Sequence, residues 1–359
     1  MEYYLERDWL LYLAAFACAF GISLATTPFA KKVAFRFGAV KYPRERDMHS
    51  KPMPEMGGLA IVIGFIATAG VMAFFIPYFR TMAFAGFAAG GVIIALTGIV
   101  DDIIDLRPVT KLIIQIIVAV IVVASGNRIE IVVWPVTAYL QPFTIPFTIF
   151  WIVGMTNAVN LIDGLDGLAA GVSAIGSLGL MVLCILSGSP LAVVLAATLA
   201  GSCLGFLPRN FNPAEVFMGD TGALFIGYVL AVSSVIGVFK GYTLLAILIV
   251  IFALSLPILD TVFAFFRRLY RGRSATSWMV GDRGHMHHRL IDAGFTHKQS
   301  VIMLYGLSAV TAIIAIVIAV QDPRAILVTV IFLAVLFVVL HVYRKRTNKD
   351  EAGKQRPFD

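Results

Sequence analysis

The chain has 359 residues, 59% of them hydrophobic and only 14% charged, with a mean hydropathy of +0.90. A soluble domain carries about 25% charged residues, so a water-soluble globule is excluded and an all-α polytopic integral membrane protein is expected. The net charge of +7 does not point to nucleic acid, because Lys and Arg fall in the loops between apolar runs, where they set orientation.

A bilayer core takes roughly 17–25 apolar residues per helix. Eleven runs qualify: 9–30, 57–78, 83–100, 110–125, 146–161, 167–187, 190–207, 221–239, 242–266, 299–320 and 324–343. No cleavable leader is expected, since Met1-Glu2 is acidic and the first run exceeds a signal core. Pro28, Pro77, Pro190 and Pro323 mark ends or entries of spans. The stretch 129–146 is β-branched and carries three prolines, which suits a short extracytoplasmic hairpin. Cys18, Cys184 and Cys203 all lie in apolar runs and read as core residues. With the N-terminus outside, only Arg7, Arg80, Arg128, Lys240 and Arg324 of the 28 Lys and Arg are extracytoplasmic. That asymmetry predicts N-out and C-in. One membrane domain over 1–345 and a basic cytoplasmic tail over 346–359 follow.

Polar clusters then recur at one face. After the first span come Lys41, Arg44, Arg46, His49 and Lys51; Lys51 is the best candidate there for a phosphate, and a solvated basic loop is the alternative. Asp101, Asp102 and Asp105 close the third span. Adjacent carboxylates repel unless a cation or proton neutralises them, so Asp101 and Asp102 suggest catalysis or a hard cation such as Mg²⁺; a solvated helix end is the bland reading. Lys111 follows. Asn157, Asn160 and Asp163 share a helix face at the end of the fifth span, and Asp163-Gly164-Leu165-Asp166-Gly167 turns the chain back. Amide and carboxylate oxygens there suit a metal or phosphate-linked hydroxyls. Asn212, Phe217 and Asp220 lead into the eighth span. Phe217 is placed to stack a base or to pack, and Asp220 to bind metal or to cap a helix. Arg283, His285, His287 and His288 form a basic loop that suits phosphate better than zinc, for which no further ligand is at hand. His49, His297 and His341 read as structural or solvated. No phosphate-loop, dinucleotide or hydrolase-elbow signature is present.

Five stretches, HSKPMPEMGGLAI (49–61), VDDIIDLRP (100–108), NAVNLIDGLDGLAAG (157–171), FNPAEVFMGDTGAL (211–224) and DRGHMHHRLIDAGFTHKQ (282–299), resemble the polyprenyl-phosphate N-acetylhexosamine-1-phosphate transferases, in that family's order and over nearly the whole chain. The His-x-His-His loop and the residues after it resemble the branch that uses UDP-N-acetylglucosamine and undecaprenyl phosphate, including enzymes that start teichoic acid linkage units, more than the alternative branch that transfers phospho-N-acetylmuramoyl-pentapeptide. The resemblance implies a Mg²⁺-dependent enzyme, with Mn²⁺ as a substitute, in the bacterial cytoplasmic membrane. It implies metal near Asp220 and Asn160 and catalytic carboxylates at Asp101, Asp102, Asp163 and Asp166. Substrate contacts are implied at Lys51, Lys111, Asn157, Asn212, Phe217, Arg283, His285, His287 and His288. A homodimer is left open.

Rivals fit less well. An intramembrane prenyltransferase would use two Asp-rich helix motifs, and a CDP-alcohol phosphotransferase would carry Ala-Arg after an Asp-Gly. An ion-coupled transporter would place its carboxylates near mid-bilayer.

Overall fold

The computed structural model describes residues 2–42, 52–129, 141–237, 251, 254–270, 290–292 and 294–320. Ten α-helices make up almost all of the described chain. They are α1 Glu2–Phe37, α2 Gly58–Phe75, α3 Met82–Ile104, α4 Pro108–Ala124, α5 Thr144–Ile162, α6 Leu168–Leu186, α7 Pro190–Asn210, α8 Gly219–Gly237, α9 Ser255–Tyr270 and α10 His297–Val320. A two-stranded antiparallel ribbon joins β1 (Val40–Lys41) to β2 (Met53–Pro54), with Val40 opposite Pro54. The all-helical architecture follows from the solvent: hydrocarbon offers no partner to a backbone N–H or C=O, so each segment must satisfy its own.

Among the described residues eight helices are long and apolar enough to cross a membrane: α1 from Trp9, α2, α3, α5, α6, α7, α8 and α10. Eleven were expected. The run 110–125 is the shorter, 17-residue α4, and the run 242–266 meets the 16-residue α9. The run 324–343 and the tail 346–359 lie outside the described residues, as do residues 130–140 of the hairpin expected over 129–146, whose described end is instead helical: a 3-10 turn Gln141–Phe143 and the start of α5 at Thr144. Pro28 does not end α1, which continues through it to Phe37. Proline is tolerated in membrane helices more readily than in water; the lost N–H of Pro28 frees the Leu24 carbonyl, one residue beyond the Ile22 and Ser23 carbonyls to which Thr26 and Thr27 donate, each at 2.7 Å.

One hydrophobic core runs through all ten helices. Its axis is α8, in which every residue from Thr221 to Gly237 is buried. Along α8, Tyr228 donates to the Phe87 carbonyl of α3 at 2.7 Å, and Ser234 accepts from Trp151 Nε1 of α5 at 3.1 Å. Helix α7 lies hard against α1, where a β-carbon on Gly201 or Gly205 would overlap the carbonyl oxygens of Phe16 or Phe20. Small residues four apart allow such backbone approach between membrane helices. Segment 54–58 is stitched to the approach of α8: Phe217 donates to the Pro54 carbonyl at 2.9 Å, Gly57 to Phe217 at 2.8 Å and Gly58 to Met218 at 2.7 Å.

Candidate active site

The polar ends of α3, α4, α5 and α8 meet at one point. The Lys111 ammonium at the start of α4 bridges Asp101 Oδ2 at 3.0 Å and Asp220 Oδ2 at 2.8 Å. Asn160 Nδ2 on α5 donates to the same Asp220 oxygen at 3.3 Å. The other Asp101 oxygen accepts the Leu106 amide at 2.9 Å and so shapes the turn after α3. All these side chains are at least partly buried, so their charges meet in a medium that screens poorly.

Asp102 points another way. Its Oδ1 accepts the Asp220 amide at 2.7 Å; its Oδ2 accepts the Thr221 amide at 3.2 Å and also the Thr221 hydroxyl. A helix start leaves N–H groups without partners, and here the cap comes from α3 rather than from the helix's own sequence. Asp220 is therefore not the cap that its position suggested: its carboxylate faces Lys111 and Asn160. The approach to α8 needs Gly219, which has φ +70 and no room for a side chain, since a β-carbon would strike the Glu55 carbonyl and lie 2.7 Å from the Asp102 oxygens.

A second cluster holds the turn between α5 and α6. Asp166 is buried, and its Oδ2 accepts from Asn212 Nδ2 at 3.0 Å and from the Ala214 amide at 3.1 Å. The Asp166 amide donates to His297 Nε2 at 2.9 Å, and the Gly167 amide to Asn210 Oδ1 at 3.1 Å. Tyr305 donates its hydroxyl to the Gly167 carbonyl. Asp163 lies between the two clusters. Burial, and next the Asp220 carboxylate, push its carboxyl up to about 7, while the Lys41 ammonium pulls it down.

Of the residues read from the sequence, Asp101, Lys111, Asn160 and Asp220 share one contact network, and Asp102 adjoins it through Thr221, which was not singled out. Asn157 is set apart: its amide faces Gln115 of α4, donating to Gln115 Oε1. Asp105, exposed and left-handed at φ 54, is outside the network. Asp166 and Asn212 hold each other, and Phe217 is half-buried with its backbone tied to segment 54–58. Lys51, Arg283, His285, His287 and His288 lie outside the described residues. Sequence reasoning passed over Gln115, Asn210 and Tyr305. A lone amide in the apolar run of α4 was the available signal for Gln115; nothing local marks Asn210 or Tyr305, whose partners are 43 and 138 residues away.

Residues 84–238 match the model of glycosyl transferase family 4, a stretch that holds both clusters except Lys41, His297 and Tyr305. The chain is 40% identical over 306 residues to the "Probable undecaprenyl-phosphate N-acetylglucosaminyl 1-phosphate transferase" of Bacillus subtilis, covering 83% of this chain and 84% of that one. It is 36% identical to the "Decaprenyl-phosphate N-acetylglucosaminephosphotransferase" of Mycolicibacterium smegmatis, over 79% of this chain and 76% of the other. The "Undecaprenyl-phosphate alpha-N-acetylglucosaminyl 1-phosphate transferase" of Escherichia coli K12 is 28% identical, over 80% and 78%.

Proposed function

Since this chain belongs to glycosyl transferase family 4, we propose that it transfers N-acetylglucosamine 1-phosphate from UDP-N-acetylglucosamine to undecaprenyl phosphate, releasing UMP. In the bacterial cytoplasmic membrane, with the site toward the cytoplasm, this is the first membrane step of teichoic acid or another envelope polysaccharide. The observation that carries the reading is the Asp101–Lys111–Asp220 network with Asn160 on it: a partly buried acid pair, already holding one positive charge, at the mouth of a membrane helix bundle.

That network bears on the expected Mg²⁺. Among the described residues no three His, Cys, Asp or Glu side chains gather into a metal site. Mg²⁺ commonly takes one or two carboxylates and completes its shell with water and substrate phosphates, so Asp220 and Asp101, with the Asn160 amide oxygen, fit such an ion once a diphosphate is present. When bound it would offset the negative charge of the diphosphate and of the leaving UMP.

The protein's own groups divide the remaining work. Asp101 orients the lipid phosphate, whose oxygen forms the new bond to the β-phosphorus as the bond to the UMP oxygen breaks. Lys111 keeps the two carboxylates together and presents its ammonium to a phosphate when one arrives. Asp163 and Asp166 shape the nucleotide end, with Asn212 held by Asp166 and Phe217 further along the same loop. Asp102 acts by fixing the start of α8, and through it the aim of Asp220.

The test is turnover of purified protein in detergent with UDP-N-acetylglucosamine, undecaprenyl phosphate and Mg²⁺. Asp220→Asn should lose UMP release by more than about a hundredfold, the scale of losing one preorganised charged group, while melting near the wild-type temperature. Wild-type turnover in that variant would remove Asp220 from the chemistry. Inorganic pyrophosphate in place of UMP would favour a prenyl transfer.

A further inference from the structure

The turn Asp163–Gly167 joins two apolar helices and is buried over Leu165–Gly167, and buried backbone groups need partners. Its neighbouring helices do not supply all of them. The Asp166 and Gly167 amides are met by the side chains of His297 and Asn210, and the Gly167 carbonyl, which accepts the Gly171 amide at 3.0 Å, takes a second hydrogen bond from Tyr305. Two of these three side chains come from α10, which lies entirely outside the stretch 84–238 that matches the family model.

Helix α10 is shaped to reach the turn. His297 is its first residue, and Tyr305 follows eight residues on, about two helical turns, so both can lie against the same neighbour. The tyrosine ring enters a slot lined by Gly167 and Gly171; a β-carbon on Gly171 would overlap the ring. The Lys298 ammonium stands 5.9 Å over the Phe211 ring, next to Asn212, which Asp166 holds. The same helix therefore touches the turn that bears Asp163 and the loop that leads to Phe217.

We propose that His297 and Tyr305 are positioning residues for the nucleotide end of the donor. Gripping the Asp163–Gly167 turn from its outer side, they set the affinity for UDP-N-acetylglucosamine without touching it. His297 serves through its unprotonated Nε2, which accepts the Asp166 amide, and Tyr305 through its hydroxyl. The proposal rests on the functional reading above, in which Asp163 and Asp166 shape the nucleotide end.

The experiment uses full-length protein in detergent and measures UDP-N-acetylglucosamine binding by calorimetry, then KM for donor and acceptor separately. His297→Leu and Tyr305→Phe should each weaken donor binding and raise donor KM roughly tenfold, the size of one buried partner lost, with acceptor KM unchanged. His297→Gln, which returns an acceptor oxygen near the position of Nε2, should recover donor KM to within about threefold of wild type. Tyr305→Phe removes a single oxygen and keeps the ring in its slot, so it carries the result should His297→Leu not fold. Variants that lose melting temperature yet keep donor KM, or that raise donor and acceptor KM alike, overturn the proposal. So does a Gln variant no better than Leu. A wild type that binds no UDP-N-acetylglucosamine overturns the functional reading along with it; a wild type that binds, beside variants that bind equally well, overturns the proposal alone.

Discussion

Asp101, Asp102, Asp166 and Asp220 have the same side chain and different tasks, and the difference lies in what each carboxylate accepts. Asp102 and Asp166 accept backbone amides, from Asp220 and Thr221 in one case and Ala214 in the other; Asp101 divides its oxygens between the Leu106 amide and the Lys111 ammonium, which it shares with Asp220. Capping carboxylates contribute about 0.5–2 kcal/mol each. Asp102→Ala should therefore lower the melting temperature and turnover together, whereas Asp102→Asn keeps an oxygen for the Asp220 amide and should retain more of both. Equal loss of turnover in the two variants with unaltered melting would instead make Asp102 a proton-handling group. The sequence could mark these acids as functional because charge beside hydrocarbon is costly. It could not sort them, because the amides that occupy Asp102 lie 118 and 119 residues away. His297, read as structural or solvated, is structural, but its partner could not be named from the sequence because it is 131 residues distant.

At the scale of elements, the apolar runs were readable because the bilayer fixes both the length and the type of a spanning segment. Runs 83–100, 146–161 and 190–207 fall within α3, α5 and α7. The ends were less legible. Proline signals a stop in water, yet α1 passes through Pro28 and carries Lys31, Lys32 and Arg36 on its far end. How the helices press together was not legible either, since Gly201 and Gly205 look no different in sequence from Gly70. In space they differ sharply: the first two meet the α1 backbone, and Gly70 has nothing within 4 Å. Overpacking costs about 1–3 kcal/mol, so Gly201→Leu should depress the thermal midpoint of the detergent-solubilised protein, while Gly70→Leu stays near wild type. Equal midpoints would mean that α1 and α7 part without penalty.

For the molecule as a whole, alternation of spans brings the ends of α3, α5 and α7 and the starts of α4, α6, α8 and α10 to one face, where both clusters form. If that face is cytoplasmic, a cysteine at Asp105, beside the site, should react with an impermeant maleimide only after the cells are opened. A cysteine at Arg80, at the opposite end of α3, should react in intact cells. Cys18, Cys184 and Cys203 are replaced beforehand. The reverse pattern would overturn the charge-based orientation. Helix α8, sheathed by its neighbours from Thr221 onward and latched at its tip by Asp102, behaves as a fixed axle in this arrangement. Among the described residues, a change of sugar preference is expected to enter through the collars that its tip contacts, residues 54–58 and the loop at 211–218. An engineer seeking to accept a different hexosamine would remodel those collars and leave the axle alone.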